Sequence, residues 1–324
     1  MRIVYFGSAC FGIPCLDALL HSGHELVHVF TQPAHKAGRG QKPRPTDVAL
    51  WAEQHNVPCT EAEDINDPPM AKQVEACFGD LLVVIAFGQK IGPELINWHK
   101  RGAINVHASL LPKYRGAAPI NWAIINDEKV TGNSIITLAD RMDAGCILGQ
   151  DHVDVLPDDT AASVYQKLST QAPLLLLEVI GQIQNGKAVY APQDNDKATK
   201  APKLKKTDGW LDFSQPAAVV NNYIRGLWSW PGASADYYSV GTKKCYRVII
   251  AQAEVVKNDN NPGTYGLLDG DLNVICGKDR LKLIKVKPAG GHIMDFQDFV
   301  NGRQSKPGDL FMPIEHKRSH GQDK

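Results

Sequence analysis

Asn105-Val106-His107 closes a short apolar run, and Ser109-Leu110-Leu111-Pro112-Lys113-Tyr114-Arg115-Gly116 follows directly. In an extended strand, residues two apart point to the same side, so Asn105 and His107 can converge on one point. An amide donor beside an imidazole suits an oxyanion that develops at a carbonyl carbon. Met142-Asp143-Ala144-Gly145 sets a carboxylate in a turn after another strand-like run. Near His107, that carboxylate would hold the imidazole's tautomer and orientation. The same residues also read as a structural asparagine, a satisfied histidine and a turn aspartate, and chemistry alone leaves both readings open.

Positioning such a trio requires strands that end at a common edge. Strands are expected at Arg2–Phe6, Glu25–Phe30, Leu81–Phe87, Ala103–His107 and Ser134–Leu138, and helices at Gly12–His21, Thr46–Gln54, Ala118–Ile125 and about Thr160–Gln184. Leu81–Phe87 is apolar on both faces, as a buried parallel strand must be. The alternation predicts a Rossmann-like, open, mostly parallel α/β sheet with ligands at the carboxyl ends of its strands. Residues 191–208 turn to Pro, Asp, Asn and Lys and read as a lysine-rich linker. Beyond them, short β-like runs separated by Gly/Asn/Asp turns suggest an OB-like β-barrel. The expected boundaries are therefore 1–190, 191–208 and 209–314, with a polar tail at 315–324.

Composition narrows the classes. Balanced charge, 35 Lys+Arg against 35 Asp+Glu, argues against a protein that coats nucleic acid indiscriminately. Seven scattered cysteines without a CxxC pair suggest neither a zinc site nor a disulfide framework, so a reduced cytoplasmic protein without a metal is expected. A first strand is expected from residue 2, so no targeting peptide is expected ahead of it, and no run approaches the length of a bilayer span. Gly7-Ser8-Ala9-Cys10-Phe11-Gly12 lacks the second glycine of a dinucleotide fingerprint and reads as a turn. His21, His24 and His28 share no helical face and read as surface histidines.

The Asn-x-His block, the Ser-Leu-Leu-Pro and Arg-Gly that follow it and the downstream Asp143-Ala144-Gly145 resemble the formyltetrahydrofolate-dependent formyltransferases. Thr31-Gln32-Pro33, Ala37-Gly38-Arg39-Gly40, Tyr114-Arg115-Gly116-Ala117-Ala118-Pro119, Ala201-Pro202-Lys203-Leu204, Trp230-Pro231-Gly232-Ala233 and Lys287-Pro288-Ala289-Gly290 extend the likeness nearly end to end, toward the methionyl-tRNA formyltransferases. That resemblance implies transfer of a formyl group from 10-formyltetrahydrofolate to the α-amine of methionyl initiator tRNA. It implies Asn105 and His107 as holders of the oxyanion and Asp143 as the partner of His107. It also implies Phe87, Gly88 and Gln89 beside the pterin, with Ser109, Leu110, Leu111 and Pro112 as the folate-contacting segment. Ser8-Ala9-Cys10 departs from the Thr-Pro-Asp/Glu that the family carries there.

Two basic stretches hide in the neutral total. Lys36, Arg39, Lys42 and Arg44 share one loop, and Lys203, Lys205 and Lys206 end a linker that also holds Lys197 and Lys200. The resemblance implies that they contact tRNA, whose phosphates such charges would neutralise. A solvated loop and an ordinary charged linker are the alternative. Two other functions stay open: a formyltransferase of the same superfamily acting on a nucleotide sugar or another small amine, and a non-catalytic RNA-binding protein that keeps the fold. A monomer is the default.

Overall fold

Seven strands build the main sheet: β1 (Arg2–Gly7), β2 (Glu25–Thr31), β3 (Cys59–Glu61), β4 (Leu81–Ile85), β5 (Ala103–His107), β6 (Ser134–Thr137) and β7 (Ile147–Gln150). They are seen in a computed structural model, which describes residues 1–37, 42–258 and 263–314. Their order is β7-β6-β5-β4-β1-β2-β3. β3, β2, β1, β4 and β5 run parallel, while β6 and β7 close one side in antiparallel fashion. All five residues of β4 are buried, as its unbroken apolar run requires. The strand stops at Ile85 and not at Phe87, because Ala86 and Gly88 take positive φ (48° and 84°) and turn the chain off the sheet.

Helices α1 (Ile13–Leu20), α2 (Asp47–Gln54), α3 (Pro68–Ala76) and α4 (Pro93–Trp98) connect the parallel strands. The short α3 and α4, each with proline in its first turn, are not among the expected helices. Phe6, on β1, sits in the centre of an apolar layer with ring centroids 5.2 Å from Phe30 and 5.1 Å from Phe87. The helix expected before β6 forms as α5 (Pro119–Ile125). After β7 comes the long α6 (Ala161–Gln184), with Pro173 inside it.

The chain divides into two compact units, 1–119 with 129–155 and 163–202, and 120–128 with 156–162 and 203–324. The second gathers two mid-chain segments through side-chain bonds: Arg225 donates to the Asp159 carbonyl (2.8 Å) and Asn121 to the Gly226 carbonyl (2.7 Å). Its sheet contains β8 (Ala233–Ser239), β9 (Lys244–Val256), β10 (Val274–Ile275), β11 (Arg280–Pro288), β12 (Met294–Asp295) and β13 (Leu310–Met312). The order is β10-β11-β9-β8-β13, with β12 on β11, and every pairing is antiparallel. Isolated bridges Leu267–Leu310 and Leu268–Val274 bring its edges together, so the sheet is a nearly closed barrel. Irregular pairing around Gln252 lets the 13-residue β9 bend around it. Two helices were not expected here, α7 (Ala217–Leu227) and α8 (Phe296–Arg303). Ala217, Val220, Ile224 and Leu227 form a buried helical stripe that was readable in the sequence.

Not every histidine is superficial. His28 is half-buried, bonded to Thr60 Oγ1 (2.9 Å) and packed on Phe30. His99 is only 3% exposed, and its Nδ1–H donates to the Leu95 carbonyl (3.2 Å) while Nε2 has no partner among the described residues. Burial pushes both imidazoles below the ordinary value of 6.5, a shift that the Leu95 carbonyl partly opposes at His99. The folded state therefore binds fewer protons than the unfolded chain, and the stabilising share of these groups is lost as pH falls below that value. Thermal midpoints measured from pH 7 down to 5 should fall, and His99→Gln should make the decline shallower. An equally steep decline in the variant would assign the acid sensitivity elsewhere.

Candidate active site

β5 lies inside the sheet, paired with β4 through Val84–Asn105 and with β6 through Ile136–Asn105 and Ser134–His107. Two-residue alternation turns Asn105 and His107 to one face at the carboxyl end of the parallel strands. His107 is 6% exposed. Its Nε2–H donates to the Tyr114 carbonyl (2.9 Å), because a carbonyl can only accept. Nδ1 is left facing Asp143 Oδ2 at 3.6 Å. Asp143 Oδ2 also accepts from the Gly116 backbone N–H (2.9 Å). The side-chain amide of half-buried Asn105 is bonded to none of the described residues. The structure thus brings together His107 and Asp143, with an uncommitted amide on the same strand face.

The turn after β5 owes its shape to buried hydroxyls. Ser134 Oγ donates to the Ser109 carbonyl (2.6 Å) and accepts from Leu111 N–H (3.0 Å) and from Gln150 Nε2 (2.7 Å). Ser109 is fully buried and its hydroxyl donates to the Lys113 carbonyl (2.7 Å). Ser109 and Leu111 therefore build the turn from inside, whereas Leu110 and Pro112 are half-buried at its surface. Two glycines permit close backbone approach. A Cβ on Gly145 would lie 1.8 Å from the Thr137 carbonyl oxygen, and one on Gly116, at φ 128°, would lie 2.5 Å from that of Ala201.

A cavity of about 490 Å³ opens over the carboxyl ends of β1, β2 and β4. Phe87 and Gly88 line it, facing Ser8, Gln32, Arg44 and Thr46. Ser8 Oγ donates to the Phe87 carbonyl (3.2 Å) and accepts from Gln32 N–H (3.0 Å), so the turn after β1 is tied to the loop after β4. Gln89 is placed differently: its amide is spent on Ile65 N–H and the Ala62 and Glu63 carbonyls, where it braces the neighbouring loop.

The basic stretches are only partly within view. Residues 35–37 and 42–44 pair as a short hairpin, His35 opposite Arg44, and both of these residues line the cavity. Lys36 and Lys42 belong to its strands, and Arg39 lies outside the described residues. Arg44 is well exposed, 4.0 Å from Asp47. Lys203, Lys205 and Lys206 are exposed in the second unit.

Sequence reasoning missed the Tyr114 carbonyl, Ser134, Gln150 and Gln193. A backbone acceptor leaves no compositional trace, and Gln193 falls in a stretch that reads as linker. Arg115 is held by Gln193 and Asn195, and burial with the nearby Arg141 charge lowers its guanidinium's pKa against the pull of Asp143. Among the described residues, no cluster of three His, Cys, Asp or Glu could hold a metal ion, and no helix is long and apolar enough to cross a membrane.

Residues 1–180 match the formyl transferase family and residues 203–304 its C-terminal domain. A methionyl-tRNA formyltransferase of Alkaliphilus oremlandii is 35% identical over 96% of this chain and 99% of its own. One from Trichlorobacter lovleyi is 36% identical over 97% and 98%. In fold, the chain is similar to an N-formyltransferase of Helicobacter canadensis solved with folinic acid and dTDP-3-aminofucose (TM-score 0.63, 15% identity, 87% of this chain and 98% of that one). With identity of this order over nearly the whole of both chains and both domains matched, the chain belongs to the methionyl-tRNA formyltransferase family.

Proposed function

We propose that this chain transfers the formyl group of 10-formyltetrahydrofolate to the α-amino group of methionyl initiator tRNA, for translation initiation. The observation that carries this reading is the near end-to-end likeness to methionyl-tRNA formyltransferases. Catalysis is assigned to residues 1–190. Residues 191–208 lead on to a barrel at 209–314 that helps hold the tRNA, in a cytoplasmic monomer. The tail at 315–324 lies outside the described residues.

The site suits a folate co-substrate on two counts. The cavity that Phe87 and Gly88 line falls within the range of small-molecule pockets, roughly 300–1,000 Å³. The Asn105 amide is half-buried and uncommitted, as a donor awaiting a ligand oxygen must be. The co-substrate supplies an activated formyl carbon, and the acceptor amine needs no protein nucleophile, because a free α-amine titrates near about 7.7–8.0. Asn105 would donate to the formyl oxygen as it becomes an oxyanion. The Tyr114 carbonyl fixes the His107 ring, and the 3.6 Å gap between His107 and Asp143 can tighten when substrate binds. The pair would then take the proton lost by the attacking amine and return one to the departing folate nitrogen. Ser109, Leu110, Leu111 and Pro112 would shape the floor on which the folate rests.

Release of tetrahydrofolate should require charged methionyl-tRNA, with deacylated tRNA giving none. Equal release with either would refute the reading. The basic residues add a second expectation. Neutralising Lys36, Arg39, Lys42 and Arg44, or Lys203, Lys205 and Lys206, should flatten the plot of log K against log salt by about 0.7–0.9 for each phosphate that is no longer neutralised. An unchanged slope would remove the altered group from the tRNA interface.

A further inference from the structure

We infer that Gln193 is a positioning residue for formyl transfer, locking the Asp143 turn against the segment that follows His107. The inference rests on the function proposed above and deepens it. Gln193 lies in the polar stretch after α6, where its neighbours Pro192 and Asp194 are exposed. Its side chain nevertheless has every hydrogen-bonding valence filled. Nε2 donates to the Asp143 and Gly145 carbonyls, both at 2.8 Å. Oε1 accepts from Arg115 Nε (3.0 Å) and from a terminal nitrogen of the same guanidinium (2.7 Å). An amide can make four such bonds, two given and two received, and this one makes all four within the protein.

The partners give that saturation its meaning. Asp143 adopts φ 53°, a left-handed conformation that is uncommon outside glycine, although aspartate takes it more readily than most residues. Gln193 holds the carbonyl of that residue and the carbonyl two residues on. Through Arg115 the same amide reaches the residue next to Gly116, whose N–H donates to the Asp143 carboxylate. Asp143 is thus fixed at its main chain by Gln193 and at its carboxylate by Gly116, and Arg115 couples the two restraints. The chain around Gln193 is itself anchored. Ala191 pairs with Ile147, Tyr114 N–H donates to Thr199 Oγ1 (2.8 Å), and residues 200–201 run parallel to 115–116. The stretch expected to be a linker acts, in its first half, as a strap across the site. None of the four hydrogen bonds of the Gln193 amide goes to His107 or Asn105, so its effect would run through the position of Asp143.

Gln193→Leu removes both halves of the clamp. Gln193→Glu keeps the two bonds from Arg115 and loses the two donors, so it tests the clamp even if the leucine variant folds poorly. Each should lower kcat by about tenfold to a hundredfold, the range for small misplacements of catalytic groups, with KM for 10-formyltetrahydrofolate and for methionyl-tRNA within about twofold of wild type. On an Asp143→Asn background, Gln193→Glu should cost no more than about twofold further, because residues that act through one another are non-additive. Wild-type kcat in the glutamate variant, a KM effect without a kcat effect, or losses that multiply in the double variant would each overturn the inference. Absence of formyl transfer by the wild-type chain would refute the parent reading instead, so the two failures are distinct.

Discussion

Asn105→Ala is expected to lower kcat at least about a hundredfold while leaving the thermal midpoint near its wild-type value. Loss of one preorganised oxyanion donor typically costs about 2.7–4 kcal/mol of barrier, a factor of roughly 10²–10³. The amide is half-buried and bonded to none of the described residues, so its removal leaves no internal donor or acceptor stranded. The effect should therefore fall on turnover. His107→Ala and Asp143→Ala are expected to lose at least about a hundredfold as well, with some loss of stability, since the first removes a hydrogen bond to the Tyr114 carbonyl and the second one from the Gly116 N–H. Single-turnover rates beside melting curves separate the two effects. Near-wild-type turnover in any of the three would remove that residue from the mechanism.

Phe6→Ala should carry the largest stability cost, about 3–5 kcal/mol. Phe6 has no exposed surface, and its ring meets Phe30 edge-on and Phe87 at a tilt. Truncation loses the transfer energy of the ring and opens a void between β1, β2 and the loop after β4, where packed strands can collapse only in part. Phe87 also lines the cavity, so it would lose its support from below. Denaturant unfolding should show a lowered midpoint with an unchanged slope, and Phe6→Leu should recover part of the loss. A change below about 1 kcal/mol would mean that the layer repacks freely around the void.

The parallel sheet is legible in the sequence because its signals are local. Leu81–Phe87 is apolar on both faces, and Asn105 and His107 lie two apart at the end of a strand, so alternation alone places them together. The chain is hardest to read where a few interactions between residues distant in sequence decide the structure. Gln193 looks like linker because nothing near it in sequence reveals the carbonyls of Asp143 and Gly145. His107 bonds to a backbone carbonyl, a group that every residue carries. α7 is different in kind: its apolar stripe is present at helical spacing but lies inside a region that otherwise reads as short strands. Gln89 carries a structural task that its place in the motif does not announce: its amide braces the neighbouring loop.

Formyl transfer to the tRNA-borne amine is tested most directly by offering the full-length chain three acceptors at once: methionyl initiator tRNA, free methionine and an amino-sugar nucleotide. The donor is 10-formyltetrahydrofolate labelled in its formyl group. The tRNA ester is then hydrolysed and the labelled products are separated. Label should appear in N-formylmethionine released from the tRNA, with none in free methionine or the sugar, and Asn105→Ala should slow its appearance at least about a hundredfold. Label on the amino sugar, or on no acceptor at all, would contradict the proposed function.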